Sequence, residues 1–307
     1  MSEDFYRIKR LPPYVFAEVN RLKADYRSKG VDIIDFGMGN PDMDTPHHIV
    51  EKLVETVRKS RTHRYSSSKG INGLRKAQAR YYKNRFDVAL DPEREIIATL
   101  GSKEGLANLA MAITAPGDVM LVPNPSYPIH PYGFMIAGGT LRHLPTLHDG
   151  KFKPEEYMQS LSRAVAHSVP KPVALVVSFP SNPTAQLCDI DFYKELISFA
   201  KKNNLWILSD LAYAEIYFDG NPPPSILQVN GAKEVAVEFT SLSKTFSMPG
   251  WRMGFAVGNS RLIDALTRIK SYLDYGAFTP IQVAAATALN GETDCIASIR
   301  DTYKSRR

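Results

Sequence analysis

Cysteine is nearly absent: Cys188 and Cys295 stand far apart with no further cysteine near either. That excludes a disulfide framework and a zinc knuckle, and no metal site is expected. Long apolar runs are missing as well. The longest, Val173 to Phe179, is interrupted by Ser178 and falls far short of a bilayer span. No run of five or six like charges occurs, so the excess of 38 Lys and Arg over 32 Asp and Glu, net +6, is spread thinly over 307 residues. Such a spread argues for solvated surface and against a nucleic-acid-binding face. The first residues, MSEDFYRIKRLPPY, lack the apolar stretch of a secretory signal, so a cytoplasmic protein without a membrane partner is expected. What remains is an ordinary globular composition, 44% hydrophobic and 23% charged, at a length that suits two domains.

Two periods alternate along the middle of the chain. Short apolar runs at Ile96–Leu100, Val119–Val122, Ala174–Phe179, Leu205–Leu208, Val235–Phe239 and Gly254–Val257 predict buried strands. Helical spacing links Ile49, Leu53, Val54 and Val57, then Leu106, Leu109, Ala110 and Ile113, then Tyr193, Leu196, Ile197 and Ala200. Nearly continuous apolar strands alternating with amphipathic helices predict an α/β fold, a mostly parallel sheet sandwiched by helices. Thr45-Pro46 offers a helix N-cap followed by proline at the first helical position. Residues 10–29 predict an arm and a helix, followed by a possible strand at Asp32–Phe36 and a turn through Gly37, Met38 and Gly39. Near the other end, Ile281, Ala284, Ala285 and Ala288 share a helical face, Gly291 breaks it, and a second helical stretch from Cys295 runs to Arg307 without a C-cap. The expected division is 1–45 for an arm and part of a small domain, 46–290 for a large domain, and 291–307 for the start of the small domain's return.

Chemistry gathers where the predicted strands end. Ser241-Leu-Ser-Lys-Thr-Phe-Ser-Met-Pro-Gly-Trp-Arg-Met-Gly254 places Lys244 just past a strand, among hydroxyls and eight residues before Arg252. Alone, such a lysine would be a surface residue opening a loop; in an open α/β sheet, though, strand carboxyl ends are where ligands bind. Asp210 closes another strand with Tyr213 three residues on, and by itself would read as a helix cap. Ser181-Asn182-Pro183-Thr184 follows a third strand as a turn, and Asn124-Pro-Ser-Tyr127 follows a fourth. Gly101-Ser102-Lys103-Glu104-Gly105 opens a helix whose free N–H groups would form an anion site, without the spacing of a Walker loop.

Taken together and in this order, these segments resemble the fold-type I pyridoxal-phosphate enzymes, specifically the class I and II aminotransferases. The resemblance runs from about Tyr14 to the last residue. It implies an α/β large domain plus an incomplete small domain, pyridoxal 5'-phosphate as cofactor, and Lys244 as the amine that forms its aldimine. It further implies that Asp210 pairs with the pyridinium nitrogen, that Asn182 and Tyr213 bond the ring's phenolate oxygen, and that Tyr127 stacks on the ring. Ser102 and Lys103, chiefly through their backbone, with Ser241 and Arg252, are implied at the phosphate. Tyr65, in His63-Arg-Tyr-Ser, matches a tyrosine that reaches the partner subunit's phosphate, which implies a homodimer with shared active sites. Gly39 and Tyr14, together with Asn182, are implied at the substrate. Lys244 then serves as general base and acid in a ping-pong transfer of an amino group between an L-amino acid and a 2-oxo acid.

LPPYVFAEVNRLK, GMGNPD, RYSSSKGINGLR, SYPIHPYG and KSYLDYGAFTPIQVAA resemble the alanine (glutamate–pyruvate) branch most. Aspartate and LL-diaminopimelate aminotransferases are near neighbours, and a carbon–sulfur β-lyase is an alternative on the same scaffold. Dicarboxylate specialists commonly carry an arginine in the loop matching Ser271–Gln282; none occurs there, and Lys270 is the nearest cation. The family's NPTG reads Asn-Pro-Thr-Ala185 here. The resemblance also leads to the expectation that a C-terminal segment, with the arginine that grips the substrate carboxylate, lies outside this chain. A cofactor-binding module without turnover is the non-enzymatic alternative.

Overall fold

The computed structural model describes residues 5–37 and 39–307, so Met38, in the turn expected at Gly37–Gly39, lies outside the described residues. The chain divides into two compact units, Met1–Asp42 and Met43–Arg307. In the first, α1 (Tyr6–Lys9) precedes α2 (Val15–Ser28), and a Lys23–Asp35 ion pair at 2.7 Å ties the helix to the segment after it. The strand expected at Asp32–Phe36 does not form: these residues join no ladder among the described residues, and Ile34 and Phe36 are exposed. Apolar alternation alone cannot make a strand without a neighbour to complete its hydrogen bonds.

The second unit opens with α3 (His47–Val57) and α4 (Asn72–Phe86). Then β1 (Ile96–Thr99), α5 (Ser102–Ile113), β2 (Val119–Asn124), α6 (Ile129–Ala137), β3 (Thr140–Pro145), α7 (Pro154–Ala166), β4 (Pro172–Ser178), α8 (Ile190–Asn203) and β5 (Trp206–Asp210) alternate. It continues through β6 (Ala236–Ser241), a single turn α9 (Leu242–Thr245), β7 (Gly254–Gly258), α10 (Ser260–Leu273), α11 (Thr279–Asn290) and α12 (Asp294–Arg306). The sheet order is β1-β7-β6-β5-β4-β2-β3. β7 pairs antiparallel with β1 and with β6, and every other pairing is parallel. The expected mostly parallel sheet between helices is therefore present.

Residue alternation sorts the strands onto two helix layers, as a period of two requires. Ile96, Leu121, Leu175, Val177 and Ile207 face one core with α4, α7, α8 and α11. Ile97, Met120, Val122, Val176 and Leu208 face the other with α5, α6 and α10. Helix α8 shows how the sequence achieves this. Asp189 caps its start, accepting the Phe192 N–H at 2.8 Å, and Phe192, Tyr193, Leu196, Ile197 and Ala200 all bury on one stripe.

Two further expectations are corrected. Helix α3 starts at His47 with Pro46 flanking it, and Thr45 does not cap it; its hydroxyl donates instead to the Ser247 carbonyl at 2.6 Å. Pro46 occupies the capping position, which leaves Thr45 one residue too early to cap the helix. Strand β3 also went unforeseen. It is an edge strand whose residues are mostly exposed, with only Leu144 buried, so it shows no apolar run. Among the described residues, no helix is long and apolar enough to cross a membrane.

Candidate active site

Because β7 alone is reversed, its first residues sit at the same sheet edge where the parallel strands end. Thr99 and Ser241 both pair in register with Gly254, so the ends of β1 and β6 and the start of β7 lie at one level. Here α5 begins, and its first N–H groups have no acceptor inside the helix. Gly254 makes room for them: a Cβ at this position would stand 2.8 Å from the Ser102 backbone nitrogen and 2.8 Å from the Thr240 carbonyl oxygen. Arg252 reaches over, donating from Nη2 to the Leu100 carbonyl at 3.2 Å and from Nη1 to that of Pro249 at 2.9 Å. Ser241 is buried and caps α9, accepting the Ser243 N–H at 3.2 Å. The Lys103 side chain is exposed. The start of α5, a guanidinium and a hydroxyl beside two glycines form a cradle for a compact anion.

Replacing Gly254 with alanine is expected to destabilise the chain by about 1–3 kcal/mol, because backbone on both sides must move. Gly250→Ala, at a position with open space around it, is the control. Chemical denaturation of the two variants checks this, and an unchanged midpoint for Gly254→Ala would refute it.

Next along the edge stands Lys244, in the turn of α9 that follows β6. Its Nζ lies 5.8 Å from the Tyr213 ring centre. Burial first, and then the neighbouring Arg252 charge, hold the amine below the usual lysine range. Asn182, past β4, donates from Nδ2 to the Tyr213 hydroxyl at 3.2 Å. Burial pushes the Tyr213 phenol above its ordinary range; the Asn182 bond opposes this, and the Asp210 and Tyr127 charges add to it. The phenol therefore keeps its proton and remains a donor.

Asp210 is the last residue of β5 and only 6% exposed. Oδ1 accepts the Ala212 N–H at 3.2 Å, and Oδ2 lies 2.9 Å from Nε2 of His130. His130, in α6 and 1% exposed, went unnoticed in the sequence. A lone histidine between isoleucine and proline carries no signal until the sheet brings it to a carboxylate 80 residues away. Tyr127 meets the same imidazole edge-on, with ring centres 6.0 Å apart.

The structure thus gathers Ser102, Ser241 and Arg252 around the cradle, Asn182, Tyr213 and Lys244 beside it, and Tyr127 with Asp210 through His130. Tyr65 stands elsewhere: it is 86% exposed and stacks on Tyr275 at 4.6 Å between ring centres. Tyr14 and Gly39 belong to the first unit. The stretch 271–282 is not one loop, since α10 runs to Leu273 and α11 starts at Thr279. Lys270, the cation nearest it, is fully buried between Glu104 at 2.6 Å and Asp274 at 2.8 Å. It is committed to those carboxylates and offers no charge to a substrate.

The donor set has the chemistry a phosphorylated pyridine aldehyde demands. An anion cradle, a buried carboxylate for a ring nitrogen, an amide and phenol for a ring oxygen, and an amine of lowered basicity for the aldehyde all lie on one sheet edge.

Residues 31–307 match the family model described as aminotransferase class I and II. AatC of Rhizobium meliloti, whose name marks it as an aminotransferase, is 65% identical over 305 residues, 99% of this chain and 74% of that protein. The glutamate-pyruvate aminotransferase AlaC of Escherichia coli is 52% identical over 303 residues, 99% of this chain and 72% of that protein. The substrate-bound structure of BacF from Bacillus subtilis superposes with a TM-score of 0.89 at 34% identity, covering 100% of this chain and 76% of that one.

Proposed function

The chain belongs to the class I and II aminotransferases, and from that premise we propose that it exchanges an amino group between L-alanine and L-glutamate through their 2-oxo acids. Its cofactor is pyridoxal phosphate, which when bound supplies an electron sink for breaking the substrate Cα–H bond. The other tasks fall to the chain's own side chains. Lys244 Nζ would take up the Cα proton and deliver it to the carbon that was the cofactor's aldehyde, and the burial that holds this amine below the usual lysine range favours the neutral form a base needs. Asp210 holds a proton on the ring nitrogen, with His130 holding the carboxylate in place. Asn182 Nδ2 and the Tyr213 hydroxyl donate to the ring oxygen, and Tyr127 covers a ring face. The backbone of Ser102 and Lys103, with Ser241 and Arg252, binds the phosphate. Gly39 and Tyr14, with Asn182, are assigned to the substrate, and Tyr65 to the phosphate of a second copy. That last role makes the working form a homodimer. The exposed Tyr65, Tyr272, Leu273 and Tyr275 support it as a surface that association would cover.

The choice of a small side chain rests on one observation above the others. Residues 271–282 include no Lys or Arg, and the cation beside them, Lys270, is consumed by Glu104 and Asp274. A visible spectrum tests the reading. The chain with pyridoxal phosphate should show a band that L-alanine bleaches and pyruvate or 2-oxoglutarate restores. Bleaching by L-aspartate or LL-diaminopimelate but not by L-alanine would move the assignment to those substrates. Release of ammonia and pyruvate from cystathionine would make it a lyase.

A further inference from the structure

Glu104 is an odd residue to find in the first turn of α5. A carboxylate there serves the helix dipole, but it also competes with any anionic ligand for the same N–H groups. Asn108 Nδ2 donates to Glu104 Oε1, and one further residue ties the carboxylate to the cradle. Leu100 donates its N–H to Glu104 Oε2 at 2.9 Å, while its carbonyl accepts from Arg252 Nη2 at 3.2 Å. Glu104 and Arg252 therefore flank the same backbone residue, and an uncompensated charge on Glu104 would oppose the cradle.

Compensation comes from a neighbouring helix of the same layer. Lys270 of α10, its side chain wholly out of solvent, gives Nζ to Glu104 Oε1 at 2.6 Å and to Asp274 Oδ2 at 2.8 Å. Asp274 is itself held by the Gly276 N–H at 2.6 Å, and its carbonyl accepts the Ser68 hydroxyl. We infer that Lys270 is a positioning residue for the cofactor phosphate: its charge, shared between Glu104 and Asp274, offsets the Glu104 carboxylate and so lets a doubly charged phosphate share the start of α5. This inference rests on the cofactor reading above. Lys270 touches no ligand, and its effect travels through Glu104.

Opposite signs at the two partners mark the charge effect. A merely structural role for the pair would weaken binding whichever member is lost. Neutralisation predicts that Lys270→Met lowers affinity for pyridoxal phosphate about tenfold or more, whereas Glu104→Gln, which keeps an acceptor for Leu100, leaves it equal or raises it. Pyridoxal, which lacks the phosphate, should bind all variants alike. Lys270→Arg should restore the wild-type preference, and so should the double variant Glu104→Gln/Lys270→Met.

The experiment is equilibrium binding of pyridoxal phosphate and of pyridoxal to the full chain, with inorganic phosphate as competitor. Should Lys270→Met fail to fold, the sign at Glu104→Gln and the behaviour of the double variant still decide. Weaker pyridoxal phosphate binding by Glu104→Gln, or equal losses for both ligands, would overturn the inference. A wild-type chain that holds the two ligands equally would overturn the cofactor reading with it.

Discussion

Lys244→Ala is expected to lower the rate of amino-group transfer from L-alanine to 2-oxoglutarate by at least about 10³-fold, because a general base and acid is worth roughly 10²–10⁴ and this residue is assigned both roles. The visible band with pyridoxal phosphate should vanish in the same variant. The cradle formed by Gly254, Ser102 and Arg252 lies outside the substitution, so inorganic phosphate should compete for it as before. Lys244→Arg separates bulk and charge from proton transfer. A guanidinium keeps both, yet it stays protonated and cannot serve as base, so that enzyme should be equally inactive. Coupled assays of the three proteins settle the matter, and a Lys244→Ala enzyme within tenfold of wild type would remove the lysine from the chemistry.

Asp210→Asn comes second in size, with an expected loss of about 10²–10³ in kcat, the usual consequence of deleting one preorganised charge from a buried site. Asparagine keeps its oxygen for the Ala212 N–H and turns its Nδ2 toward His130, whose Nε2 accepts in the other tautomer, so the local fold has little reason to change. What disappears is the full negative charge that holds a ring proton. The loss should therefore fall on kcat far more than on KM for L-alanine. A KM effect alone would assign Asp210 to packing.

Much of this was legible beforehand because parallel strands, buried on both faces, write themselves as apolar runs, and the residues after those runs are then aligned by the sheet. That logic puts Asp210, Asn182, Tyr127 and Lys244 at strand ends, and the family resemblance supplies the roles expected of them. His130 could not, since its meaning depends on β2 and β5 lying on either side of β4, which no local pattern encodes. The Lys270 pairing was hidden for the same reason: Glu104 is 166 residues away. Asp32–Phe36 and β3 failed in opposite directions. The former has a strand's alternation without a partner, and the latter has a partner in β2 without a strand's apolar run.

The reversal of β7 also has an entropic side. Lys244 and Arg252 sit on one connection whose two ends are pinned by the Ser241–Gly254 pairing. Bringing the amine near the guanidinium therefore costs the closure of a single short loop, and that cost grows only with the logarithm of its length. Asp210 and Asn182 are placed instead by whole strand–helix–strand crossovers, each of which must be complete before the next strand has an edge to join. A few residues inserted between Ser241 and Gly254 would leave the sheet intact and still separate the two cations. The same insertion in a helix loop on the far edge would cost the site nothing.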